Sequence, residues 1–197
     1  MLVLPAAGTE SAAEARTAQA VLVDRLVAIV AEQALTWRDV ESARLLGSFA
    51  AGTTPEDAVD RLITRELMHL EVERLGVAAP IAAAVDERLD RARERAGGPE
   101  PFVRALEALG VSEANAREWV ADDLRIDVYV DQRFTAPAQP TDAEVAQEAS
   151  KDGVREPSDD QLREARRRLV QGRRTALVAD WLAGIRARTS IQIAGKR

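Results

Sequence analysis

His69 is the only imidazole in a chain of 197 residues that has no cysteine. Thiol catalysis, disulfides and Cys/His zinc sites are therefore excluded together. On a helix, the residues four before and four after His69 are Arg65 and Glu73. That spacing predicts a charged, solvated face. A general base needs a pocket and an orienting partner, and the sequence offers His69 neither. There is no Gly-x-Ser-x-Gly elbow, no phosphate-cradling glycine loop and no carboxylate cluster at ligand spacing. Acids are plentiful but alternate with arginine at helical spacing, as in Asp86-Glu87-Arg88-Leu89-Asp90-Arg91, the pattern of a solvated helix face. No catalytic residue, metal ligand or cofactor is assigned.

Two other groups of side chains could recognise a partner. Arg163, Arg166, Arg167, Arg168, Arg173 and Arg174 fall within twelve residues that hold one acid, Glu164, so this stretch carries +5 and the rest of the chain −11. Such segregation marks either a docking patch for an anionic partner or membrane surface, or a helix that pairs with acidic helices of its own domain. The aromatic residues are few. Phe49, Phe102, Trp119, Tyr129, Phe134 and Trp181 fall near helix ends or on apolar stripes, as core and staple residues do. A groove for apolar segments would need several of them exposed together. Phe49, Phe102, Trp119, Tyr129 and Phe134 are the candidates for it.

The elements that must position these side chains are mostly helices. Arg25 to Val30 reads as a strand and Ala34-Leu35-Thr36 as its return, with Ala31-Glu32-Gln33 as the turn. A lone hairpin is marginal in water, and the one other β-branched alternation is Ser190 to Ala194, so the two ends should share one small sheet. Thr36 and Asp39 can cap a helix running to about Ala51. Thr54-Pro55-Glu56-Asp57 opens a second, which carries Val59, Leu62, Ile63, Leu67 and Leu70 on one stripe to Gly76. Further helices are predicted at about Ile81 to Ala96, Pro101 to Leu109, and from the Ser112 cap to about Phe134. Residues 135–157, with three prolines and a glycine around a short helix begun by Thr141-Asp142, read as a linker. Ser158 caps a long helix to about Arg188 with an apolar face throughout.

Composition bounds the rest. Hydrophobic residues make up 46 % and aromatics 4 %, so Ala, Val and Leu must fill the core; 30 % are charged and the net charge is −6. A chain of this size hides roughly 70 % of its unfolded surface. An acidic balance argues against a nucleic-acid partner, and no apolar run is long enough to span a bilayer. Residues 1–22 read as a flexible, Ala-rich leader, since Met1 to Ala7 lacks the basic start of a signal peptide.

The order of these segments resembles the non-catalytic helical domain of the SurA-like, parvulin-associated chaperones, which is related in fold to the chaperone domain of trigger factor. The carrying residues are Asp24-Arg25-Leu26-Val27-Ala28-Ile29-Val30 and Ala34-Leu35-Thr36-Trp37-Arg38-Asp39-Val40-Glu41, then Leu62 to Leu67 and Glu73-Arg74-Leu75-Gly76-Val77. Ala108-Leu109-Gly110-Val111-Ser112, Arg125 to Phe134 and Thr141-Asp142-Ala143-Glu144-Val145 follow in order. Trp181-Leu182-Ala183-Gly184-Ile185-Arg186 and Ile191-Gln192-Ile193 close the series. The resemblance implies a mainly α fold: a helical chaperone domain over 23–134, a linker over 135–157 where an isomerase domain would be inserted, and a C-terminal helix and strand over 158–194 packing back on it. It implies a periplasmic holdase that binds unfolded or partly folded envelope and outer-membrane protein clients without a cofactor. The alternative location is the cytoplasm.

Two departures from the family stand out. The hairpin turn is usually Asn-Gly-like, which Ala31-Glu32-Gln33 is not. The parvulin pattern, with its histidines and Gly-Gly-Asp-Leu-Gly segment, is missing where the chain passes from Pro157 into Ser158, so prolyl isomerase activity is expected to be absent. Another function open to such a chain is a structural adaptor in an envelope or secretion complex, with Arg163 to Arg174 as its docking surface. Prolyl isomerisation stands third. Oligomeric state is left open.

Overall fold

Five helices begin on a hydroxyl that accepts from the backbone amide three residues on: Thr36 from Asp39, Thr54 from Asp57, Ser112 from Asn115, Thr141 from Glu144 and Ser158 from Gln161. Each satisfies an amide that the first turn cannot. The helices are α1 (Trp37–Leu46), α2 (Pro55–Arg74), α3 (Ala82–Arg95), α4 (Pro99–Leu109), α5 (Glu113–Phe134), α6 (Asp142–Ala149) and α7 (Asp159–Arg188). The strands are β1 (Leu26–Val30), β2 (Gln33–Thr36) and β3 (Ile191–Ile193). This is a computed structural model, and it describes residues 24–50, 52–151 and 156–195; the leader expected over 1–22 lies outside them.

The fold is mainly α with one small antiparallel sheet in the order β2-β1-β3. Strand β1 is central, so the two ends of the described chain meet as the C-terminal alternation implies. The hairpin is tighter than expected. Gln33 belongs to β2 and pairs with Val30, leaving Ala31 and Glu32 as the turn. Ala31 takes φ 53°, a left-handed conformation that costs an L-residue about 1–2 kcal/mol. Its amide donates to the Ser190 carbonyl (2.8 Å), so the approach to β3 helps hold the turn.

Two helix boundaries also differ from expectation. Helix α1 stops at Leu46 instead of near Ala51, because Gly47 turns left-handed (φ 82°) and the Ser48 amide reaches back to the Ala43 carbonyl. Helix α4 starts at Pro99, two residues early. Pro99 and Pro101 both fall in the first turn, where a missing amide breaks no bond.

The apolar side chains collect in three clusters. The largest lies between the sheet and α2: Val27, Val30, Leu35, Leu62, Ile63 and Leu67, closed by Ile185 from the end of α7. The second joins the end of α1 to α3, α4 and α5 around Phe102, Leu106, Leu89 and Val120. Trp119 packs against both. The third is small, Val145, Ala149 and Ala165 with Leu162 and Leu169 beside them, and joins α6 to α7. Much of the stretch expected as a linker is thus packed structure, with Ala138 fully buried just before α6.

Phe102 is 1 % exposed. Phe102→Ala should therefore cost about 3–5 kcal/mol in urea unfolding; a loss under about 1 kcal/mol would show that the ring is not core.

Candidate functional site

The α2 face expected to be solvated is turned inward against α5. Arg65 Nε donates to Asp123 Oδ1 at 2.6 Å, with the two side chains only 10 % and 12 % exposed. Its Nη2 donates to the Trp119 carbonyl (3.2 Å), and the guanidinium lies 3.8 Å from the centre of the Trp119 ring. The Trp119 indole N–H donates to Ser48 Oγ (3.2 Å), and that hydroxyl donates to the other oxygen of Asp123 (2.6 Å). Every polar group of this knot has a partner, the condition under which a buried pair is tolerated.

One turn further along α2, His69 is half-buried, not solvated. Its Nδ1 is 3.7 Å from Asp122 and its Nε2 3.6 Å from Glu73, and Nδ1 is buried without a hydrogen bond. Asp122 pairs with Arg125, whose Nε donates to the Val77 carbonyl (3.1 Å) just beyond α2. Glu66 is buried beside these groups. Loss of water pushes its carboxyl up, and the charges of His69 and Arg65 only partly pull it back. Ser48, Arg65 and Asp123 border a small hollow, and the hydrogen bonds that engage all three make the knot a joint between helices.

The five candidate aromatics do not form one exposed surface. Phe102 and Phe134 are buried, which corrects their assignment to a groove wall. Tyr129 and Phe134 of α5 each lie 5.5 Å from the Trp181 ring of α7, so they bind those helices together. Trp119 belongs to the knot. Only Phe49, half-buried at the end of α1, borders open space.

The open space is instead walled by aliphatic side chains. A groove of about 780 Å³ runs between α5 and α7 and is lined by Met68, Ile126, Val128, Val130 and Val178, with Asp127, Asp131 and Arg174 at its margin. Val128 is 43 % exposed there. A smaller hollow of about 220 Å³ shares Met68, Ile126 and Asp127 with it and continues to Phe49, Arg61 and Arg88. Partial loss of water pushes the Asp127 carboxyl up, although Arg88 lies 3.7 Å away and pulls it back. The margin therefore alternates in sign. The aliphatic walls went unassigned from the sequence, although Ile126, Val128, Tyr129 and Val130 supply a signal. Spaced by one and two residues, they surround more of α5 than a single interface can cover.

All six arginines of the basic stretch have acidic partners. Arg163 pairs with Asp160, Arg166 with Asp142 (2.6 Å), Arg167 with Glu164, Arg168 with Glu148 (4.0 Å), Arg173 with Glu144 and Arg174 with Asp131 (3.2 Å). Four of these pairs tie α7 to α6 and to the end of α5. Glu144 also accepts from the amide and hydroxyl of Thr141, and with Arg173 these bonds hold its carboxyl at about 2. Farther along, Arg188 donates to Glu71 (3.0 Å) and Arg186 to Asp60 (2.7 Å), which fastens the end of α7 to α2. Among the described residues no group of three or more His, Cys, Asp or Glu could hold a metal ion, and no helix is long and apolar enough to cross a membrane.

Comparison with protein-family models returns no match, and comparison with curated proteins returns none either.

Two outcomes follow from the ion pairs. Asp123→Ala would leave Arg65 buried and unpaired, so about 3–5 kcal/mol of stability should be lost in denaturant unfolding. Glu144 has its carboxyl depressed from 4.5 to about 2. Its stabilising contribution is complete above about pH 4.5 and disappears as the pH falls through about 2. Glu144→Gln should therefore melt below the unchanged protein at pH 7 and together with it at pH 2; a gap that persists at pH 2 would contradict this.

Proposed function

We propose that the protein is a non-catalytic, holdase-type chaperone of the SurA-like kind. Its clients are unfolded or partly folded polypeptides of the cell envelope, outer-membrane proteins among them, and its place of work is the periplasm. The observation that carries this reading is the open aliphatic groove between α5 and α7, floored by Met68 of α2. An exposed Val128 and the half-buried Val130 and Val178 beside a flexible thioether suit apolar segments of many shapes. A margin of mixed sign rejects neither acidic nor basic clients.

The mechanism is passive. A client segment that enters the groove is removed from the pool able to aggregate, and binding to the unfolded state needs no chemical step. The pairs between α7 and α6, and those between α7 and α2, hold the groove's α7 wall in place. Less supports the adaptor alternative, because four of the arginines that would form its docking surface pair with acids of α5 and α6.

The test is suppression of aggregation of several unrelated denatured proteins at stoichiometric ratios. The unchanged protein should protect them, and Val128→Asp should lower that protection several-fold with the helical circular dichroism preserved. Failure to protect any client sinks the holdase reading. Tight, steeply salt-dependent binding to one folded partner would replace it with an adaptor, and turnover of an X-Pro peptide above the slow uncatalysed rate would replace it with an isomerase.

A further inference from the structure

Among the described residues strand β3 ends the sheet, and its outer side is unpaired. Ile29 faces Gln192 in the register, the Ala31 amide donates to the Ser190 carbonyl and the Ala194 amide to the Val27 carbonyl. Residues 190, 192 and 194 thus turn their backbone groups toward β1. By the alternation of an antiparallel ladder, the amides and carbonyls of Ile191 and Ile193 point outward. Four strand-forming groups are presented along one edge, and among the described residues none has a partner.

The side chains of Ile191 and Ile193 lie on the face that meets α2. Ile191 packs against the main core, and Ile193, 37 % exposed, opens onto a groove of about 630 Å³. That groove is lined by Leu26 and Val27 from β1 and by Val59 and Ile63 from α2. Two acids of the first turns of α2, Glu56 and Asp60, border it; Asp60 is engaged by Arg186, whereas Glu56 has no ion-pair partner among the described residues. Arg25, across the groove, lies 4.5 Å from the Trp37 ring centre and is drawn toward it.

We propose that this edge captures an extended peptide by strand addition, one with apolar side chains at alternate positions and a lysine or arginine beside them. The outward amides and carbonyls of Ile191 and Ile193 would bond the peptide backbone. Every second peptide side chain would fall toward Leu26, Val59, Ile63 and Ile193, and the cation would meet Glu56. This surface is separate from the groove between α5 and α7, and it stands whether or not that groove holds clients.

The probe is a fluorescent, capped peptide, Lys-Thr-Val-Thr-Val-Lys, read by anisotropy against the full chain. The same peptide N-methylated throughout keeps the side chains but cannot pair as a strand, and should bind at least tenfold more weakly. In the protein, Ile193→Pro removes an outward amide and leaves the bonds to β1 intact; it should weaken binding about tenfold with unchanged circular dichroism. Glu56→Lys should weaken binding about threefold, less so at high salt. Hydrogen exchange on the unchanged protein should show new protection at Ile191 and Ile193 and none at Val128. Equal binding of the methylated peptide, or protection at Val128 instead, overturns strand addition. A concentration-dependent dimer abolished by Ile193→Pro would also overturn it, by assigning the edge to a second copy.

Discussion

Arg65 sits where α1, α2 and α5 meet. Its guanidinium is held by Asp123 on one side and by the Trp119 ring on the other, and Asp123 is fixed in turn by the hydroxyl of Ser48. Trp119 is the residue that touches both large apolar clusters. A charged side chain so deeply placed is tolerated because Nε and Nη2 each find an acceptor in a fixed direction and the Trp119 ring covers the guanidinium. That requirement sets the position of α5 along α2, and through α5 it sets the spacing to α7. The groove walls, drawn from α5, α7 and Met68, inherit their separation from it.

The helix starts were legible because their cause is local. Thr36 with Asp39, Thr141 with Glu144 and Ser158 with Gln161 each form a reciprocal cap within four residues, and the helices begin where those residues predict. The pairing of β1 with β3 was also legible, since a two-stranded hairpin needs covering and only one other segment had the right alternation. What could not be read was direction. The spacing of Arg65, His69 and Glu73 shows that they share a face but not what the face meets. A charged face reads as solvated unless its partners are known, and Asp122 and Asp123 lie more than fifty residues away.

The aromatics failed as groove markers for a related reason. A chain with so few large side chains uses them where packing demand is greatest, and Phe102, Phe134 and Trp181 went to junctions between helices. Open surface was left to valine, isoleucine and methionine. The charge asymmetry resolves in the same way: four of the six arginines are met by acids brought alongside from α5 and α6, and the other two by acids of α7 itself. Seen from more than a Debye length, about 10 Å in ordinary salt, these short pairs present little net field.

The placement of β1 has a consequence for how the chain is made. One of the strand's two neighbours is synthesised about 160 residues after it. At cellular elongation rates of about 5–20 residues per second, that interval is roughly 10–30 s. Throughout it a nascent chain carries a hairpin with one open, largely apolar margin, and closure of the sheet has to wait until β3 is made. Closing so long a loop also slows the search for the native pairing. During its own biogenesis this polypeptide therefore passes through an incompletely paired state of the kind that helper proteins exist to shield.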